Sequence, residues 1–144
     1  QSGYSIDVVN GFCTSNELTI LDNGIVYGSL RTAMIQMGDI ISRYYDKIAD
    51  VESTATSALN TVFAQDGAFL YLPDGVEADK SFSLTFAYHS EDQAQMCFSR
   101  ALVIAGKGAK ANVVISSVSD GEGRFLIEHV RETYAGDGAE MKIT

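Results

Sequence analysis

The chain has 144 residues, enough for one domain with a real core, and its 46% hydrophobic and 20% charged content favours folding over disorder. A net charge of −9 argues against a nucleic-acid backbone or an anionic membrane surface as partner. The acidity is uneven: three basic and eleven acidic residues lie up to Asp79, against seven and eight from Lys80 onward, and a solvated surface on the first half explains the excess.

In chain order, Gln1 to Tyr27 reads as short extended pieces separated by turns. Asn10-Gly11 is a turn signal, Leu18-Thr19-Ile20-Leu21 a strand, and Asp22-Asn23-Gly24 a turn into Ile25-Val26-Tyr27. No obvious domain start opens the chain, which is read as a portion of a longer protein. Ser29 is a good N-cap. Leu30, Met34, Met37, Ile41, Tyr44 and Ile48 then recur at spacings of three and four, so an amphipathic helix is predicted to about Ala49. Gly38-Asp39 is expected to split it, because a helical glycine costs about 1 kcal/mol relative to alanine. The methionines on this face read as gap-filling core.

A last helix is predicted from about Thr54 to Gln65, with Ala58, Leu59, Val62 and Phe63 on one face. Gly67 is placed as its stop, in the positive-φ conformation common at helix C-termini. Phe69-Leu70-Tyr71-Leu72 then changes the period, and Pro73-Asp74-Gly75 turns the chain. From here the period is two. Phe82, Leu84, Phe86 and Tyr88 point one way, and Ser83, Thr85, Ala87 and His89 the other. Further strands are predicted over Gln95 to Ala105, Asn112 to Val118 and Arg124 to Tyr134, with Met141 to Thr144 beginning another that is cut off.

An internal repeat runs through this half. Ala105-Gly106-Lys107-Gly108-Ala109-Lys110 returns thirty residues later as Ala135-Gly136-Asp137-Gly138-Ala139-Glu140. A recurring strand–glycine turn–strand unit is the mark of stacked β-coils, with glycine at a corner whose φ is denied to other residues. An antiparallel sandwich or jelly roll spaces its strands similarly, and the pattern alone does not separate the two.

Candidate chemistry is sparse. Cys13 and Cys97 stand 84 residues apart, too few and too distant for a zinc site or a cluster-ligand run, and each reads as a small buried hydrophobe. No secretory leader opens the chain and no apolar run reaches about 18 residues, so a cytoplasmic protein with reduced thiols and no membrane contact is expected. The only histidines are His89 and His129. His89 lies on a polar strand face beside Ser90-Glu91-Asp92 and reads as a solvent-facing strand end rather than a base; His129 shares a face with Ile127 and Arg131 and reads as a hydrogen-bonded surface or interface residue rather than a ligand or base. Glu91-Asp92 diverge from a loop and do not suit acid–base work across one bond. Ala105 to Lys110 has neither the glycine spacing nor the Ser/Thr of a phosphate-binding loop. No catalytic, cofactor-binding or metal-ligating residue is assigned.

The stretch from Ala58 to Leu84, ALNTVFAQDGAFLYLPDGVEADKSFSL, resembles the entry to the core domain of the SufB/SufD family of iron–sulfur cluster assembly scaffold proteins. The family pattern is close to A-L-N-x-x-F-x-Q-D-G-x-x-[VIL]-x-[VIL]-P-x-G-V, and Ala58 to Val76 matches it nearly throughout. The similarity extends more weakly from about Gly24 to the end, and the short connections after Leu84 look more like the SufD branch. The resemblance implies a mainly β fold with N-terminal helices: a small α/β segment over residues 1–66 leads into the first coils of a right-handed parallel β-helix over 67–144, truncated at its end. It implies a non-catalytic scaffold subunit that works with a SufB-like homologue and with a SufC-like ATPase, which carries the ATP chemistry. The iron–sulfur cluster is built by the full complex, and no cofactor belongs to this portion. The family's cluster-building cysteine and histidine are not carried over, since no Cys-Ser-His-Gly-like motif occurs here. A reduced flavin is associated with the family's complex, and nothing in the sequence places it. Two other readings stand beside this one: a β-helix carbohydrate-active enzyme, for which Glu77, Asp79, Lys80, Arg124 and Arg131 are thin support, and a purely structural solenoid. An uncovered last coil would leave open strand edges, so self-association there, as a two-fold dimer or by strand exchange, is also expected.

Overall fold

The computed structural model describes residues 3–43, 66–90, 95–121 and 123–144. The predicted helix from Thr54 to Gln65, the Tyr44 to Ala49 end of the first helix, and Ala58 to Gln65 of the family-like stretch lie outside these residues. The elements are β1 (Tyr4–Val9), β2 (Phe12–Cys13), β3 (Leu18–Ile20), β4 (Val26–Ser29), α1 (Leu30–Gln36), β5 (Gly67–Leu72), β6 (Phe82–His89), β7 (Gln95–Ala105), β8 (Lys110–Asp120), β9 (Phe125–Ala135) and β10 (Glu140–Ile143).

The described chain is mostly β and forms two mixed sheets of five strands, ordered β10-β8-β6-β1-β2 and β3-β4-β5-β7-β9. From β5 onward successive strands alternate between the sheets, and their neighbours within a sheet are parallel. Gln95 to Ala105 pairs in register with Phe125 to Ala135, the thirty-residue offset of the sequence repeat. A jelly roll or antiparallel sandwich would pair these strands in opposite directions, so that alternative fails here. The N-terminal strands join the same two sheets: β1 lies parallel to β6, and β4 lies antiparallel to β5.

The two faces of β5 and β7 explain their unbroken apolar runs. Ala68, Leu70, Leu72, Ala101 and Val103 meet Phe82, Leu84 and Phe86 of the opposite sheet. Phe69, Leu102 and Ile104 face the other way, against Leu30 and Ala33 of α1. A strand buried on both sides has no use for polar alternation, whereas β6, covered on one side only, keeps it. α1 begins as expected, with the Ser29 hydroxyl accepting the Thr32 N–H at 3.2 Å. It ends where Met37 N–H reaches the Ala33 carbonyl, and residues 38–43 are helical again beyond the expected break.

Three corners stack. Pro73 to Val76, Gly106 to Ala109 and Gly136 to Ala139 each close with an i→i+3 hydrogen bond of 3.0–3.2 Å, and their third residues, Gly75, Gly108 and Gly138, take φ of 74°, 70° and 75°. That is the position where a type II turn demands positive φ. Pro-Asp-Gly-Val is thus the first copy of the repeat, hidden in the sequence by its proline. Charge alternates along the stack. The first corner carries Asp74 and Glu77, the second Lys107 and Lys110, the third Asp137 and Glu140. Glu77 and Glu140 both pair with Lys110 in strand register, and Lys110 Nζ lies 3.1 Å from Glu140 Oε2. Placing the third corner directly on the first would oppose like charges, and the observed order avoids it.

Candidate functional site

Asp66 is the most heavily used polar residue of the entry region. It is 4% exposed, yet its carboxylate has three donors. Oδ2 accepts the Cys13 N–H at 2.8 Å, and Oδ1 accepts the Ser29 hydroxyl at 2.9 Å and the Arg31 N–H at 3.1 Å. One side chain therefore ties β2, the end of β4 and the first turn of α1 to the start of β5. Gly67 follows with a steric duty. A β-carbon there would lie 2.1 Å from the Arg100 carbonyl oxygen of β7. Its φ of 159° is not that of a helix stop, so the predicted C-cap role is replaced by close approach of two strands. Asp74 completes the set: Oδ1 accepts the Lys107 N–H at 2.8 Å and joins the first corner to the second. Asp66, Gly67 and Asp74, all within the family-like stretch, hold the entry segment and the corners together.

A second polar group runs between the sheets. Tyr88 OH lies 3.2 Å from Ser99 Oγ, which lies 2.9 Å from His129 Nδ1. Ser99 and His129 are register partners on β7 and β9, and the His129 ring meets Phe86 edge-on at 4.5 Å between centroids. Burial, and then the neighbouring Arg131 charge, hold the His129 pKa below its usual 6.5. A hydroxyl beside a neutral imidazole is the opening of a nucleophile–base pair. Ser99 is fully buried, however, and a substrate carbonyl has no route to its oxygen. The group is a hydrogen-bond chain, buried at Tyr88 and Ser99 and reaching the exposed surface at His129. The thirty-residue repeat was the signal that could have placed Ser99 against His129 from sequence.

Beside it, Arg100 Nε donates to Glu132 Oε1 at 3.0 Å, and NH2 reaches the same oxygen, with both side chains under a tenth exposed. No sequence motif announces this pair, because its members lie 32 residues apart on two neighbouring parallel strands. His89 sits at the rim: Nδ1 is 2.5 Å from Asp120 Oδ1, and the backbone of His89 is clasped by both ends of the Asn10 amide.

The cysteines are not brought together as a ligand set. Cys97 is buried and Cys13 half-buried, and burial pushes both thiols up from 9.0, away from the thiolate that metal or sulfur chemistry needs. Among the described residues no three His, Cys, Asp or Glu side chains converge as a metal site, and no helix is long and apolar enough to cross a membrane. Glu77, Asp79 and Lys80 line an open groove with Lys110, Glu140 and Lys142. Four of these charges are engaged in structure: Tyr4 OH donates to Asp79 at 3.0 Å, and Glu140 followed by Glu77 hold Lys110 in its charged form. Arg124 and Arg131 do not line that groove.

These features define a mostly β protein of two mixed sheets whose shared polar residues join corners and strands. A family model described as SufBD protein N-terminal region matches residues 2–84, more than half of the chain. The chain belongs to the SufBD family. It is 26% identical over 138 residues to the iron–sulfur cluster assembly SufBD family protein ABCI8, chloroplastic, of Arabidopsis thaliana, covering 95% of this chain and 24% of that protein. It is 29% identical over 98 residues to an iron–sulfur cluster assembly SufBD family protein of Staphylococcus saprophyticus, covering 68% of this chain and 21% of that one. A Synechocystis protein of the same description is 27% identical over 93 residues, 65% of this chain and 19% of its own length. The chain thus spans about a quarter or less of these relatives.

Proposed function

We propose that this chain is the N-terminal part of a SufD-like, non-catalytic scaffold subunit for iron–sulfur cluster assembly in the cytoplasm, acting with a SufB-like homologue and a SufC-like ATPase. The observation that carries the reading is the family match over residues 2–84, reinforced by the joining roles of Asp66, Gly67 and Asp74 within it. Relatives described as iron–sulfur cluster assembly proteins support the process. In this reading the cluster is cargo, and the groups that build it lie elsewhere in the complex. The SufD assignment rests on the short connections after Leu84.

The alternating, parallel strands are read as the opening coils of a right-handed parallel β-helix, with residues 1–66 as the entry segment and 67–144 as the coils. Parallel register at a thirty-residue offset supports this. The open β9 and β10 edges are where a following coil, or a second copy of the chain, would pair. The test is genetic: deleting the gene and assaying a [4Fe–4S] hydro-lyase under iron limitation. The reading expects lost hydro-lyase activity with normal apoprotein levels, restored by the gene in trans. Unchanged cluster enzymes would contradict it.

A further inference from the structure

The outer face of the first sheet carries an apolar row left exposed among the described residues. Val9 on β1 pairs with Phe12 on β2 and with Ala87 on β6, and Ala87 pairs with Val118 on β8. Register places all four side chains on one face, opposite the inward Val8, Phe86 and Cys13. Phe12 is 48% exposed, Val118 54% and Val9 41%. Single exposed apolar residues are ordinary, but four in register across four strands form a ridge of about 14 Å at the usual strand spacing. A shallow pocket opens along it, lined by Val9, Ala87, His89, Val118 and Asp120.

The rows on either side set the charge. One is Asp7, Thr85 and Ser116; the other holds His89 and Asp120, whose side chain is 77% exposed. Neither row has a lysine or arginine. A second copy seated here would oppose carboxylate to carboxylate on a chain of net charge −9. We infer that this row docks an amphipathic helix of a partner protein, with apolar residues at i, i+3 or i+4 and i+7 laid across the strands and lysine or arginine flanking them toward Asp7 and Asp120. Three such helical positions span about 10 Å, within the length of the ridge. The inference goes beyond the assembly reading and does not depend on it, since it uses only the outer face of one sheet.

The test titrates the chain, amides assigned by NMR, with a 14-residue leucine/lysine amphipathic peptide and with its leucine/glutamate counterpart. The proposal expects the lysine peptide to shift the amides of Val9, Ala87 and Val118. It expects Val118→Lys and Val9→Lys, both at exposed positions, to weaken binding tenfold or more while leaving the rest of the spectrum in place. The glutamate peptide should not bind. Shifts centred elsewhere, equal binding by both peptides, or affinity unchanged in both variants would overturn it. So would sedimentation showing a dimer that Val118→Lys dissociates, because the occupant would then be a second copy. Loss of cluster enzymes on gene deletion, with no peptide effect, would leave the assembly reading intact and remove this one.

Discussion

The Ser29 hydroxyl donates to Asp66 Oδ1 at 2.9 Å while accepting the Thr32 N–H at 3.2 Å. One hydroxyl therefore caps α1 and binds it to the residue that opens the β5 strand. A buried carboxylate is stable only if donors replace its water, and Ser29, Arg31 and Cys13 supply them. Asp66→Ala leaves two part-buried N–H groups without that acceptor and should cost about 3 kcal/mol or more by urea denaturation. Asp66→Asn, which keeps the shape but turns one acceptor into a donor, should fall between. A loss below about 1 kcal/mol in the alanine variant would remove Asp66 from the centre of this joint.

Gly67→Ala tests the close approach of β5 to β7. The added carbon meets the Arg100 carbonyl at 2.1 Å, and backbone atoms on both sides must move. Overpacking of this kind costs about 1–3 kcal/mol or more. The expected result is a lower urea midpoint with an unchanged slope. Wild-type stability would show that the strands separate freely there.

The charge order of the corners predicts a reversal and a rescue. Lys110→Glu places three glutamates in one column, with Glu77 and Glu140. The melting temperature should fall at low salt and recover partly at high salt, since exposed charges are screened. The double variant with Glu140→Lys restores one opposite pair and should regain part of the loss. Equal melting temperatures for all three proteins would show that the column contributes nothing to stability.

His129 gives a pH dependence. Its native pKa lies below the 6.5 of the free side chain, because burial and then Arg131 disfavour the imidazolium. The unfolded state then binds more protons, so the residue's effect on stability is absent above pH 6.5 and turns unfavourable as pH falls below 6.5 toward the native pKa. In chemical denaturation between pH 7.5 and 5, His129→Gln should flatten the acid-side loss relative to the parent. A parallel pH profile in the two proteins would show that His129 titrates normally.

Much of the β half was legible because its signals are local. Alternation marked β6, and the glycine repeat marked the turns between successive strands. The parallel direction of the strands is a long-range property, and the pattern left it level with a sandwich. Gly67 was misread for the same reason: the sequence shows a glycine after a helical period, while its role is set by Arg100 on another strand. Asp66 was noticed only as a member of a motif, since its three donors come from residues 35 to 53 positions away. The buried Arg100–Glu132 pair gave no sign at all, because either residue alone is what a surface strand position would carry.

The proposed place in a cluster-assembly complex is open to a direct test. The most direct measurement is to tag the protein at its native locus, purify it under mild anaerobic conditions, and identify by mass what accompanies it. The account predicts an ABC-type ATPase and a second SufBD-family protein in stoichiometric amounts. Recovery of the protein alone, or with cell-envelope proteins only, would contradict it.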